Sequence, residues 1–179
     1  MIIRWLAARF GQRKAPTLKA IFVAAAAGEP MRSIKATEAI QDRGLQGDRY
    51  SEGGGHWKSL DGCQVTLITE HELTRAKTGT RPAFQTALDN GSHRRNLVID
   101  GLKTKKLEGQ RFRIGSAVFS YEKVRPPCGY LDQVAGQGMC RALSHQSGIC
   151  IRVVSSGRLA VGDAVEIIEQ AKASKGPQP

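Results

Sequence analysis

The sequence predicts a mainly β protein, built as a single β-barrel with a few short helices. About seven or eight short apolar runs are separated by turn residues, and helical patterns do not alternate regularly with them. The 20 glycines indicate many turns and close backbone approaches. Because 40% of the residues are hydrophobic but only 6% are aromatic, we expect a mostly aliphatic core.

The predicted elements follow from local periodicity and from turn signals. Apolar runs and alternation predict strands at 18–27, 33–40, 64–69, 96–99, 110–114, 117–124, 148–154 and 161–168. Helical patterns are found at 70–77, 82–88, 130–135 and 139–143. Thr69 is a suitable N-cap for the first helix, and Pro82 suits the first turn of the second.

The charge is uneven along the chain. The net charge is +11, and residues 1–20 contain basic side chains and no acidic one. We expect a flexible basic leader at 1–17, one domain at 18–168 and a disordered tail at 169–179. The domain lacks the basic helix with interleaved aromatics of a dedicated nucleic-acid module, so nucleic acid is not an expected partner.

Cysteine spacing and hydropathy give an expected location. The sequence has no Cys-x-x-Cys pair and no apolar run of transmembrane length, and arginines interrupt the apolar N-terminal segment where a signal peptide would not have them. Four scattered cysteines are too sparse for an exported disulfide scaffold, so we expect a reducing cytoplasm, with Cys150 in the core.

Cys128 is the strongest candidate for a reactive side chain. Pro126 and Pro127 end a predicted strand, and the thiol then stands on a Gly-containing turn before a helix, close to Arg125. A helix N-terminus or an arginine favours the thiolate, which is both a nucleophile and a soft metal ligand. The alternative is a small buried hydrophobic residue, as most free cysteines are.

Arginine and amide side chains supply candidate ligands for an anion. Arg94, Arg95 and Asn96 precede a strand, where they suit a phosphate or the amide edge of a pterin, or simply form a solvated strand start. Arg49 follows Asp48 after a glycine; it could bind phosphate, although an internal ion pair is the default interpretation.

Weaker candidates lie elsewhere. Ser33 and Lys35 share one face of a strand and could reach one ligand. Asp132 could share a helix face with Cys128, but we favour a cap on its own helix. His56, in a glycine-rich loop, could support the site or contact substrate; the histidines have no metal-ligand spacing, and no dinucleotide or Walker motif is present.

Six segments of the chain form a recognisable series, at 44–49, 94–99, 107–115, 127–128, 148–149 and 161–163. In their order and spacing they resemble the MOSC family, the molybdenum-cofactor sulfurase C-terminal domain, in a short stand-alone bacterial form. The resemblance covers roughly residues 18–168 and implies a β-barrel like that of MOSC proteins and pyruvate kinase.

The resemblance also implies a site and a reaction. Cys128 would ligate the molybdenum of a molybdopterin cofactor, Arg94 and Asn96 would hold its phosphate, and Arg49 lies in a similar place. Ser33 and Lys35 are looser assignments. The implied reaction is the two-electron reduction of an N-hydroxylated compound, with an electron-transfer protein as partner; the family is also associated with pyridoxal phosphate.

Two other functions remain open on the sequence. The chain could be a sulfur carrier that holds a persulfide on Cys128 for maturation of a metal–sulfur cofactor, with a sulfurase as its partner. It could also be a non-enzymatic module that uses its basic surface to bind anions or nucleic acid.

Overall fold

The computed structural model describes residues 15–55, 63–145 and 147–170, which form two β-sheets and four short helices. The strands are β1 Thr17–Val23, β2 Arg32–Ile34, β3 Ala36–Ile40, β4 Gly44–Leu45, β5 Val65–Thr69, β6 Leu97–Asp100, β7 Gln110–Ile114, β8 Ala117–Val124, β9 Ile149–Ser155, β10 Gly157–Ala160 and β11 Val165–Gln170. The helices are α1 Glu70–Lys77, α2 Pro82–Asp89, α3 Gly129–Ala135 and α4 Met139–Leu143, with a 3-10 turn at Thr104–Lys106.

The larger sheet has eight strands in the order β11-β7-β8-β9-β5-β6-β1-β2, and the smaller has the order β10-β3-β4. Neighbouring strands are antiparallel except for β5 and β6, which are parallel and are joined through α1 and α2. This crossover places the helices on one face of the larger sheet.

The predicted mainly β fold is confirmed, and the strands that the structure describes leave the larger sheet short of a fully closed barrel. β11 and β2 lie at opposite ends of the sheet order and do not pair. The turn before β11 meets β1 through an isolated bridge between Thr17 and Ala164 and a hydrogen bond from Leu18 N–H to Asp163 O of 2.8 Å. Because β11 starts after this turn and pairs with β7, the bridge does not extend into a ladder that would close the sheet.

Alternating side chains of the same strands build two cores, as the strand period requires. Ile21 and Leu67 belong to the cluster enclosed by the sheets, whereas their neighbours Phe22 and Ile68 pack under the helices. Both clusters are mostly aliphatic, as the composition predicted.

Elements with strong local signals lie where they were predicted. The bounds of α1 and α4 agree with the prediction, and Thr69 forms a capping box in which its N–H donates to Glu72 Oε2 at 2.9 Å. The predicted strand 33–40 is instead two strands interrupted at Lys35. The last strand begins at Val165 rather than at 161, because the chain first turns through Gly162 with φ of 101°.

The domain limits of 18–168 stay a prediction, and the regular structure spans nearly the same residues. β1 begins at Thr17 and β11 ends at Gln170, so regular structure reaches a little beyond 18–168 at both ends. The remainder of the predicted leader, 1–14, and of the predicted tail, 171–179, lies outside the described residues. None of the described helices is both long and apolar enough to cross a membrane.

A disulfide joins Cys63 to Cys150, with a Cα–Cα distance of 5.1 Å. Cys150 is buried in the core as predicted, but the sequence contains no local signal for its partner, which is 87 residues away. The bond ties the segment before β5 to β9, the neighbouring strand.

Candidate functional site

Cys128 lies at the turn where strand β8 gives way to helix α3. After β8 ends at Val124, two prolines lead into Cys128, which is the N-cap of α3 with an extended φ of −137° and ψ of 164°. Its side chain makes no capping hydrogen bond with the described residues and is half-buried. Cys128 lines a cavity of about 30 Å³. The alternative interpretation, in which Cys128 is a small buried hydrophobic residue, is therefore wrong.

Four arginines line the same cavity, and the described lining residues include no carboxylate. They come from three different parts of the chain: Arg49, the adjacent pair Arg94 and Arg95, and Arg125. Tyr50, Thr66 and Tyr130 contribute polar groups to the walls. The fold therefore brings the predicted Cys128, Arg49 and Arg94 together and adds Arg95 and Arg125 to them.

Arg94 and Arg95 are buried beneath the cavity, so the interpretation of a solvated strand start is wrong. Arg94 has a positive φ of 59°, and its Nη1 donates to Glu29 O at 2.6 Å. Arg95 donates from Nε to Ser147 O at 2.6 Å and from Nη1 to His93 O at 3.1 Å. The Nη2 atoms of both arginines are buried and find no hydrogen-bond partner in the described parts of the chain.

Arg49 forms the internal ion pair that was the default interpretation, and it also lines the cavity. Its Nη1 lies 2.9 Å from Asp48 Oδ1, and both side chains are buried. The guanidinium carbon lies 4.7 Å from the centre of the Tyr50 ring, which adds a cation–π contact. Asp48 also accepts from Ala24 N–H at 3.1 Å, so the pair is fixed to the end of β1.

Burial and the repulsion of neighbouring arginines lower the pKa values of Arg94 and Arg95. Burial, and next the charge of Arg125, lower the pKa of Arg95 to about 10, so that it remains charged at neutral pH. Burial, and next the charge of Arg49, lower the pKa of Arg94. A bound anion would offset both effects, because it would supply the opposite charge and acceptors for the buried Nη2 atoms.

Asn96 is placed behind the cavity rather than in its lining. The side chain is fully buried; its Oδ1 accepts from Thr66 and its Nδ2 donates to Phe22 O at 3.0 Å. These contacts join β1, β5 and β6 directly below Arg94 and Arg95. Through them Asn96 positions the site, whereas Thr66, which was not predicted, reaches the lining.

The weaker candidates Ser33 and Lys35 are not brought to Cys128. Both residues are exposed near β2, at the edge of the larger sheet, and neither belongs to the cavity lining. Their predicted contact with a shared ligand would need a site other than this cavity.

We favoured the interpretation that Asp132 caps its own helix, and this prediction is wrong. Its Oδ1 accepts from Cys140 N–H at 2.7 Å and so caps the following helix, α4. The Cys140 thiol in turn donates to Cys128 O at 2.7 Å. Burial, and next the hydrogen bond to Asp132, raise the pKa of Cys140, which keeps a protonated thiol beside the turn that carries Cys128.

His93 supports Arg95 from below. It is fully buried, and its Nδ1 accepts from Arg95 N–H at 2.9 Å. Burial, followed by the charges of Arg95 and Lys77, lowers the pKa of His93 to about 3, so the imidazole is neutral.

The other described histidines do not contribute to the cavity lining. His71 and His145 are exposed, and His56 lies outside the described residues. Across the described ranges, no three His, Cys, Asp or Glu side chains are grouped as metal ligands.

Solved structures with the same fold are found among bacterial proteins. The YUAD protein from Bacillus subtilis has a TM-score of 0.67 and 15% identity, over 87% of this chain and 97% of that chain. YiiM from Escherichia coli has a TM-score of 0.62 and 17% identity, over 87% and 71% respectively. YiiM from Geobacillus stearothermophilus has a TM-score of 0.57 and 15% identity, over 86% and 75%. At these identities the likeness establishes the fold alone.

Sequence comparison defines the family. None of the curated proteins matches the chain significantly. The family model described as the MOSC domain matches residues 55–166, which is more than half of the chain and includes Cys128, Arg94 and Arg95. The chain therefore belongs to the MOSC domain family.

Proposed function

We propose that the chain binds a molybdenum cofactor at the Cys128 cavity and acts as an oxidoreductase on N-hydroxylated compounds. The observation that carries the proposal is the shared cavity of Cys128, Arg94 and Arg95, with the buried Nη2 atoms of both arginines lacking a partner among the described residues. A buried donor without an acceptor costs about 1–3 kcal/mol, and a phosphate oxygen would remove this cost.

The residues present fit such a cofactor chemically. A thiolate is a soft ligand of the kind that suits a metal already held by sulfur, and forked guanidinium groups suit phosphate. The cavity of about 30 Å³ has room for one or two water-sized groups, so it would enclose only the reactive end or an anionic group. The larger part of a pterin would have to lie outside it.

Each residue then has a separate role. Cys128 would hold the metal as a thiolate, and the two prolines before it limit the movement of its backbone. Arg94 and Arg95 would bind the anionic group, with Arg94 held by Glu29 O and Arg95 held by the carbonyl oxygens of Ser147 and His93. The bound cofactor supplies a two-electron redox centre, and the family resemblance suggests N-hydroxylated substrates and an electron-transfer partner.

The test is co-purification of molybdenum and pterin with the protein from a host that makes the cofactor. We expect the Cys128→Ser variant to lose its molybdenum. The Arg94→Gln and Arg95→Gln variants should each retain at least tenfold less pterin than the wild type. Cys140→Ser is a matched thiol control that should retain both. A wild-type protein that folds in this host but carries neither metal nor pterin would contradict the proposal.

A sulfur-carrier function is the second candidate, and the hydrogen bond from the Cys140 thiol to Cys128 O favours it. If Cys128 holds a persulfide, the Cys140 thiol could give up its proton to solvent and attack Cys128 Sγ as a thiolate. A Cys128–Cys140 disulfide then forms, the bond between the two persulfide sulfurs breaks, and hydrosulfide leaves. A cellular dithiol would reduce the disulfide for the next cycle.

The two functions differ in a direct mass measurement. After incubation with a sulfur donor, a carrier gains the mass of one sulfur atom on Cys128 without bound molybdenum. Cys140→Ser should lengthen the lifetime of this adduct, because the internal attack is removed. Only free thiol at Cys128 under these conditions excludes the carrier function.

A further inference from the structure

A second groove, of about 520 Å³, opens between the helices. It lies between the C-terminal end of α1, the loop that leads into α2, the first turn of α2, and α4 with the turn before it. None of its described lining residues also lines the Cys128 cavity. A volume of this order falls within the range of about 300–1,000 Å³ typical of small-molecule sites.

Three arginines from three different elements surround this groove: Arg75 in the last turn of α1, Arg81 at the N-cap of α2, and Arg141 in α4. All three are exposed, and the described lining contains no acidic residue. Arg75 Nη2 donates to Leu143 O at 3.3 Å, which fixes this guanidinium across the groove. The side chains of Arg81 and Arg141 make no hydrogen bond or ion pair to any other described residue.

The acidic residues of α1 and α2 do not neutralise these charges. Glu70 and Asp89 pair with Lys77, and Glu72 caps α1 through Thr69. The positive charge of the groove is therefore left for a ligand. Guanidinium groups on separate elements suit a phosphate, which offers several oxygens to forked donors at once.

The remaining lining includes an apolar surface. Ala76 is buried, and Phe84 and Ala142 are half-buried. An inorganic anion would leave this surface and most of the volume unfilled. A ligand with an aromatic ring as well as a phosphate would use both parts of the groove, because aromatic faces stack on phenylalanine and guanidinium groups.

We propose that this groove binds a small organic phosphate of the size of a mononucleotide. The phosphate is held by Arg81 and Arg141, with Arg75 as the fixed third cation, and the ring packs on Phe84. The site is independent of the Cys128 cavity and of the reaction proposed there.

The experiment is a calorimetric titration of the full-length protein with adenosine, guanosine, cytidine and uridine 5′-monophosphates, inorganic phosphate and free nucleosides. We expect at least one nucleotide to bind more tightly than phosphate or its own nucleoside. Arg81→Gln and Arg141→Gln should each weaken this binding at least tenfold. Phe84→Leu should weaken nucleotide binding but leave phosphate binding unchanged.

Two controls separate this site from general charge effects. Arg113→Gln removes an exposed arginine from β7, and Cys128→Ser changes the other cavity; neither should alter the nucleotide affinity. The groove arginines are exposed, so their variants should keep the wild-type melting temperature. The proposal is overturned if no nucleotide binds at millimolar concentration, or if Arg81→Gln and Arg141→Gln bind it unchanged. Tighter binding of an oligonucleotide or an acidic peptide to the same arginines would also overturn it, in favour of a polyanion surface.

Discussion

Asn96 and Thr66 hold each other through four hydrogen bonds, one of which runs from Asn96 N–H to Thr66 O at 2.9 Å. Asn96 Oδ1 accepts from the Thr66 backbone N–H at 3.1 Å and from its hydroxyl at 2.8 Å, while Asn96 N–H donates to Thr66 Oγ1 at 3.0 Å. Both residues are buried, so water cannot replace a lost partner. The pair fixes β5 against β6 where the chain delivers Arg94 and Arg95 to the cavity.

We expect Asn96→Ala to lower the free energy of unfolding by roughly 2–4 kcal/mol, because it leaves buried donors on Thr66 and an unpaired carbonyl on Phe22. Thr66→Val should cost roughly 1–3 kcal/mol on the same grounds. Urea unfolding of both single variants and the double variant checks this. If the two losses add within about 0.5 kcal/mol, the residues do not act as a coupled pair.

The buried His93 should make stability depend on pH. Its pKa in the folded protein is about 3 against an ordinary value of 6.5, so the unfolded chain binds a proton that the folded one does not. The stabilising contribution is fully present above pH 6.5 and is lost as the pH falls towards 3. Within this window we expect the free energy of unfolding to fall by about 1.4 kcal/mol per pH unit from this group.

His93→Gln is the comparison for this effect, because glutamine is polar but does not titrate. The difference in the free energy of unfolding between wild type and variant should shrink as the pH is lowered from 7 to 4. A difference that stays constant over this range would show that His93 is not the responsible group.

The Cys63–Cys150 disulfide should stabilise the domain by limiting the unfolded chain. For a sequence separation of 87 residues, the loop-entropy relation gives roughly 4–5 kcal/mol. We therefore expect a reducing agent to lower the melting temperature of the wild type. The Cys63→Ala/Cys150→Ala double variant should be less stable and indifferent to reductant. Titration of four free thiols in the native, unreduced protein would contradict the bond.

Gly148 lies where the chain enters β9 and cannot accept a side chain. It has φ of 91°, and an added Cβ would lie 2.2 Å from Leu67 O in the neighbouring strand. We expect Gly148→Ala to cost about 3 kcal/mol or more, because backbone on both sides must move. The matched control is Gly162→Ala at φ of 101°, where nothing lies within 4 Å and only the conformational cost of about 1–2 kcal/mol applies. Equal losses in chemical denaturation would exclude the steric account.

Sequence predicts those parts of this molecule that depend on neighbouring residues. The capping box of Thr69, the β7–β8 hairpin and the exposed turn at Cys128 all arise from signals within a few residues. The approach of Cys140 to Cys128 O and the bond between Cys63 and Cys150 depend on how distant segments pack, and no local pattern encodes them. For the same reason no local pattern assigns His93 to the support of Arg95.

The unclosed sheet has a similar origin. Periodicity identifies strands but not their partners. The pairing of β11 with β7 depends on how all the strands of the sheet pack together. Short strands such as β4 and β10 carry too few residues to show a period. Each cavity arginine has a local clue in the sequence, and that of Arg125 is its place directly before the two prolines and Cys128.

The positive φ of Arg94, 59°, sets the stability of the fold against the proposed binding of an anion at this position. A residue with a Cβ pays roughly 1–2 kcal/mol for this conformation, and glycine does not. Arg94→Gly would relieve this conformational cost, but it would also remove the hydrogen bond to Glu29 O at 2.6 Å and a guanidinium from the cavity lining. Engineers who seek hardier variants of this protein should hold position 94 constant and screen for retained anion affinity.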